Sequence, residues 1–167
     1  MNSQPPVRLL QGHALEVLRE VPADSVHCVI TSPPYLNLRS YKTEPVAWPD
    51  GWVGHLGMEP RVEEYIAHLV AIFREVRRVL RPDGVCFVNL SDSYAGSGSP
   101  GGDFRDGKGG DEYLRPYNRQ GQALKPLDLC GVPERFALAM QADGWWWRDR
   151  LAWSKTSAMP ERVAGWR

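Results

Sequence analysis

A short apolar run that ends in two prolines constrains this chain more than any other feature. Val26 to Ile30, with His27 inside it, reads as a short buried strand that runs directly into Thr31-Ser32-Pro33-Pro34-Tyr35. Consecutive prolines fix φ and remove two backbone donors, so the ladder must stop there and the chain must leave as a stiff, extended turn. The C-terminal end of a parallel strand is where an α/β sheet delivers residues into a ligand crevice. A hydroxyl, bare carbonyls and an aromatic ring delivered at that point suit one task. They can grip a planar base by its exocyclic amine and stack on its ring. An ordinary loop is the competing reading of Ser-Pro-Pro-Tyr taken alone.

The rest of the chain alternates strand and helix. Val7 to Gln11 predicts a strand and Ala14 to Glu20 a short helix. A long polar and aromatic loop is expected from Leu36 to about Pro60. Val62 to Leu80 is the clearest helix, because Tyr65, Leu69, Ile72, Phe73, Val76 and Val79 recur at three- and four-residue spacings. Pro82-Asp83-Gly84 stops it, and Val85 to Leu90 predicts a buried strand ending at Ser91-Asp92-Ser93-Tyr94. Ala95 to Gly121 has no apolar periodicity and is expected to be a mobile excursion. A helix over Leu127 to Ala142 and a strand over Trp145 to Trp153 complete the pattern. Alternation of this kind predicts one α/β domain over residues 1–167, with a mostly parallel, partial Rossmann-like sheet flanked by helices.

Several segments resemble the amino-group DNA methyltransferases, which methylate the exocyclic amine of cytosine or adenine from S-adenosylmethionine. They are Gly12-His13-Ala14-Leu15-Glu16-Val17-Leu18, the strand and Thr31-Ser32-Pro33-Pro34-Tyr35, Glu75 to Gly84, Val88 to Tyr94, Leu124 to Leu129, and Trp153-Ser154-Lys155. The resemblance covers nearly the whole chain apart from the glycine-rich middle, in the expected order. It implies that Ser32, Pro33, Pro34 and Tyr35 act on the base. It also implies that Thr31, Gly12, His13 and Asp92 lie on the cofactor side, and that Trp153 and Lys155 support the base pocket. His13 stands where the family usually has an acidic residue. For Asp92 a helix or turn cap is an equal reading.

The chemistry follows from the target. An exocyclic amine is a poor nucleophile because its lone pair is delocalised into the ring. Hydrogen bonds from the amino protons to Ser32 Oγ and to a prolyl carbonyl, with Pro33 the best placed, would draw the nitrogen towards tetrahedral geometry. The target base must leave the duplex stack first, since its amine is otherwise paired. Tyr35 would hold the extruded base by its ring face.

Composition limits the alternatives without pointing to DNA. Net charge is zero, with 9 Lys/Arg against 11 Asp/Glu in residues 1–100 and 11 against 9 in residues 101–167. The sequence has no membrane-length apolar run and no signal segment, which predicts a cytoplasmic protein with no membrane partner. Cys28, Cys86 and Cys130 are far apart, so they read as small buried residues and not as a metal site. Gly96 to Gly102 follows a strand without opening a helix, which argues against a phosphate cradle.

Only 30 residues precede Thr31-Ser32-Pro33-Pro34-Tyr35, so the resemblance implies the permuted order with the base-handling half first. No Phe-x-Gly-x-Gly turn for the methionine moiety appears, and the chain reads as the catalytic half, a truncated product or one part of a split enzyme whose second chain supplies the cofactor half. Ser-Pro-Pro-Tyr favours cytosine N4 as the target. An adenine-N6 enzyme and a non-catalytic remnant are the alternatives. A protein-glutamine or RNA amine methyltransferase is disfavoured by both residue and order.

Overall fold

A computed structural model describes residues 7–36, 43–95, 124–125 and 128–157. In chain order the elements are α1 (Ala14–Arg19), β1 (Val26–Thr31), β2 (Val46–Ala47), β3 (Val53–Gly54), α2 (Val62–Val79), β4 (Leu80–Val88) and α3 (Val132–Ala142). The fold is a mixed α/β arrangement in which β1 and β4 form a two-stranded parallel sheet and β2 and β3 a small antiparallel hairpin.

The long helix is the organiser. Its apolar stripe is buried as the spacing predicts, with Val62, Tyr65, Leu69, Phe73 and Val76 all in the core. The Phe73 ring meets Phe136 of α3 edge-on at 5.1 Å. On the other flank Arg78 ties α1 down, donating to the carbonyls of Leu18 and Val21 at 2.7 and 3.1 Å. Six-residue α1 buries none of its own side chains, so a guanidinium at its C-terminal carbonyls is what the end of so short a helix needs. Arg74 reaches Asp143 at the end of α3 at 2.6 Å, and Arg77 donates to the Asp143 carbonyl.

The helix-stop signal at Pro82-Asp83-Gly84 works differently from expectation. The helix ends at Val79 and the chain turns at once into β4, pairing Leu80 with Val26. The next matched pair is Cys28 with Val85, so Arg81 to Gly84 bulge out opposite the single residue His27. A bulge is where a strand tolerates proline and glycine. Gly84 is needed at this crossing, since a Cβ there would stand 3.0 Å from the Arg81 carbonyl and 3.2 Å from that of His27.

Four other expectations change. Val7 to Gln11 forms no strand, and Val7 and Leu9 are exposed. Trp145 to Trp153 likewise has no ladder partner among the described residues, and Trp146, Leu151 and Trp153 stand in solvent. Alternating apolar residues specify a strand only where a neighbouring edge accepts their backbone groups. The last helix begins at Val132 and not at Leu127, because Gly131 is left-handed at φ +65° and Pro133 fits only the first turn. Of the cysteines, Cys130 is buried and Cys86 half-buried with its thiol pushed up to about 11 by burial, but Cys28 is exposed. The expected excursion falls, after Ala95, outside the described residues up to Leu124.

Candidate functional site

The loop that leaves β1 is held from beneath by the long helix. Thr31 is the last residue of β1, and its carbonyl accepts the Asn89 N–H at 2.9 Å, which fixes where the strand ends. Ser32 is exposed, Pro33, Pro34 and Tyr35 are half-buried, and Leu36 is fully buried as the loop's anchor. Tyr65, wholly buried on α2, donates its phenol to the Pro34 carbonyl at 2.7 Å. Burial, with the nearby Glu59 carboxyl, raises the Tyr65 phenol well above its ordinary value, so it stays a donor. Among the described residues no donor reaches the Pro33 carbonyl. Ser32 Oγ donates to the Tyr35 hydroxyl at 3.3 Å, which turns the serine proton away and leaves its lone pairs for an incoming N–H.

Behind the loop lies a polar cluster that sequence reasoning missed. Gly57, at φ +89°, passes so close to the loop that a Cβ there would stand 2.8 Å from the Tyr35 carbonyl and 3.2 Å from that of Pro34. Its N–H donates to Glu59 Oε2 at 2.8 Å, and Glu59 Oε1 meets His68 Nδ1 at 2.8 Å. The other ring nitrogen of His68 faces Asp50 Oδ2 at 3.1 Å. Glu59 is 0% and His68 3% exposed. Burial raises the Glu59 carboxyl above the usual range, and the bond from His68 opposes that shift. Trp48 stacks on the His68 ring with centroids 4.1 Å apart, and Trp52 lies 5.3 Å away. The only local hint of this cluster was His68 on the apolar stripe, one turn after Tyr65.

The residues expected on the cofactor side have structural partners. Asp92 Oδ1 accepts the N–H groups of Ser93 and Val132 at 2.8 and 3.0 Å, and Oδ2 accepts that of Gly131 at 3.0 Å. It caps α3 from a distant strand end. His13 is the residue before α1, its carbonyl accepts from Glu16 and Val17, and its ring meets Trp48 edge-on at 5.0 Å. Gly12 stands where a Cβ would lie 2.6 Å from Val17 Cγ2. Trp153 and Lys155 are exposed, and among the described residues neither is hydrogen-bonded or ion-paired to the loop.

A hydroxyl and a carbonyl with no donor among the described residues therefore sit, at the end of a parallel strand, on a base of Tyr65, Gly57 and the Glu59–His68–Asp50 cluster. The family model described as DNA methylase matches residues 26–165, which takes in both the loop and its support. This chain is a member of the DNA methylase family. The DNA methylases it is similar to include the Type II methyltransferase M.XycI of Xanthomonas campestris pv. cyanopsidis, 43% identical over 157 residues, 93% of this chain and 48% of the relative. M.Cfr9I of Citrobacter freundii is 41% identical over 155 residues, again 93% of this chain and 48% of the relative. M.SmaI of Serratia marcescens is 40% identical over 157 residues, 93% of this chain and 50% of the relative. The chain thus spans about half the length of the curated relatives it matches. No solved structure matches it.

Proposed function

We propose that this chain is the base-handling part of a DNA amino-methyltransferase that modifies the N4 amine of cytosine in double-stranded DNA, with S-adenosylmethionine as methyl donor. The observation that carries the reading is the sharing of work within the loop. Tyr65 occupies the Pro34 carbonyl, while the exposed Ser32 hydroxyl and the Pro33 carbonyl remain as acceptors. Two acceptors match the two protons of a primary aromatic amine. Accepting both draws the nitrogen out of conjugation and aims its lone pair away from the loop. The Tyr35 ring supplies the stacking face for the flipped base.

Ser32 in place of an acidic residue favours cytosine, because a neutral hydroxyl contributes an acceptor without a fixed charge beside the ring. The same geometry would accept the N6 amine of adenine, which is the second reading. The methyl donor supplies a methyl group on a positively charged sulfur when bound. The described residues do not form a cradle for it, since the Asp92 carboxylate is filled by three backbone N–H groups and the His13 ring lies against Trp48. Thr31, at the end of β1, keeps its proposed place on the cofactor side, and Trp153 and Lys155 their proposed support of the base pocket. A cofactor half supplied by a second chain or by further sequence fits the open sheet face, where Ile30 is 79% exposed and Phe87 50%. Among the described residues no helix is long and apolar enough to cross a membrane, and a cytoplasmic setting suits a DNA substrate.

Single-turnover methylation of duplex DNA, with products separated by mass, tests the reading in this chain alone and with a cofactor half added. N4-methylcytosine is the expected product. Methyladenine alone would overturn the preference for cytosine, and no transfer with both halves present would leave only the remnant reading. The isolated chain should bind S-adenosylmethionine weakly in a calorimetric titration.

A further inference from the structure

We propose that His68 is the positioning residue of the Ser-Pro-Pro-Tyr loop, setting Pro34 and Tyr35 through Gly57 by means of one proton shared with Glu59. The inference rests on the loop reading just given and deepens it.

The geometry is a continuous line of contacts. The Pro34 and Tyr35 carbonyls lie against Gly57, Gly57 donates to Glu59, Glu59 meets His68 and His68 meets Asp50. Each ring nitrogen of His68 faces a carboxyl oxygen within hydrogen-bond distance. A neutral imidazole has one donor and one acceptor, and a carboxylate only accepts. Both contacts hold only if one further proton lies on the 2.8 Å line between His68 Nδ1 and Glu59 Oε1. That proton satisfies the line whether it rests on the ring or on the carboxyl. The stacked faces of Trp48 and Trp52 hold the ring in plane and suit a cationic imidazole.

With the ring's remaining N–H kept by Asp50, loss of the shared proton would set the Nδ1 lone pair against the Glu59 carboxylate, which is 0% exposed. Glu59 would then turn away and free the Gly57 N–H. Gly57 is the residue on which the loop carbonyls rest, so its release moves the acceptors that face the base. The groups around His68 are Asp50 from the hairpin, Glu59 from the loop before α2, Tyr65 on α2 itself, and His13 across Trp48. Asp50 also accepts the Trp52 N–H at 3.0 Å, which keeps it anionic and leaves the His68–Glu59 line as the place for the proton.

Nuclear magnetic resonance on the full chain tests this without any turnover. In the wild type, Gly57 amide protection, corrected for intrinsic exchange, should fall as pH rises through loss of the shared proton, and the Tyr35 and Leu36 amide shifts should move with it. Glu59→Gln should keep protection within about threefold and flatten the profile. Its amide oxygen can accept from Gly57 while its NH2 donates to a neutral His68 ring. His68→Phe keeps the stack with Trp48 but should cost at least tenfold of Gly57 protection, while the α3 cap amides of Gly131 and Val132 stay unchanged. A flat wild-type profile, or losses in His68→Phe spread evenly over the α3 cap, would overturn the proposal in favour of a purely structural pin. Wild-type methylation by Ser32→Ala would instead break the loop chemistry and leave the dependence of Gly57 on His68 standing.

Discussion

On the helical side of the β1–β4 pair, Val29, Cys86 and Val88 lie against a layer closed by Leu69, Phe73 and Val76, whereas on the other side Cys28, Ile30, Val85 and Phe87 stand open. The strands are nearly as apolar on the second face as on the first. Parallel strands read this way when both faces are covered, so the sequence specifies a cover that the described residues do not provide. The closed side is also the side that holds the loop, through Tyr65 and the His68 cluster. The comparison teaches that the base-handling apparatus is supported by this chain's own residues, while the opposite face is prepared for something else.

The largest expected effect tests that difference directly. Phe73→Ala should cost about 3–5 kcal/mol in urea unfolding, as for a fully buried aromatic. Phe87→Ala, half exposed, should cost less than about 1 kcal/mol. Equal losses would mean that the second face is covered after all. Ile30→Ser together with Phe87→Ser should lower binding of a hydrophobic dye while leaving the unfolding midpoint nearly unchanged.

The next effect concerns the edge that the two faces share. Ser32→Ala removes one acceptor at the reacting nitrogen, so single-turnover methyl transfer should fall roughly 10- to 100-fold, about 1–3 kcal/mol, with DNA affinity little changed. A matching drop in affinity would reassign Ser32 to DNA contact. Asp92→Ala should cost about 1–2 kcal/mol of stability by uncapping α3, and Asp92→Asn less. A large loss of methyl transfer at unchanged stability would put Asp92 back on the cofactor side.

Acidity sharpens the closed side further. Burial holds the Glu59 carboxyl above its ordinary 4.5, so the folded chain keeps this proton after the unfolded chain has lost it. Its contribution is complete below that value and declines as pH rises towards the raised one. Glu59→Gln removes the decline, so the wild type's unfolding midpoint should fall relative to the variant's as pH increases from acid towards neutral. An opposite trend would mean that the bond from His68 outweighs burial. The smallest effect is Tyr35→Phe. It keeps the stacking face but frees the Ser32 rotor, and a few-fold loss of transfer rate at constant DNA affinity is expected.

Local pattern made the central part of this fold readable. The run into Ser32 and Pro33 gave β1 and its loop, and the three-and-four spacing from Val62 gave α2 almost to the residue. Both are set by neighbours close in sequence. Val7 to Gln11 and Trp145 to Trp153 failed as strands because pairing is settled by an edge elsewhere. The Glu59–His68–Asp50 cluster was invisible for a related reason. Its bonds join residues 9 and 18 apart with no common period, and Gly57 carried no signal beyond being a glycine in a loop. Asp92 was half legible, since a carboxylate after a strand caps something, and only the fold decides what.

The hydrogen-bonded neck formed by Asp92 to Ala95 with Asp128 to Val132 has a use for protein engineering. Asp92 reaches Gly131 across 39 positions, Cys130 donates to the Ser93 carbonyl and Ala95 to that of Asp128, both at 2.8 Å. Both ends of the intervening chain are therefore clamped before its length matters. Doubling the length of a closed loop costs only about 0.6 kcal/mol, so chain added between the two clamps costs little in closure entropy. A fluorescent protein or an affinity tag grafted between Ala95 and Leu124 should leave the melting temperature close to that of the parent. The neck makes this position an insertion port.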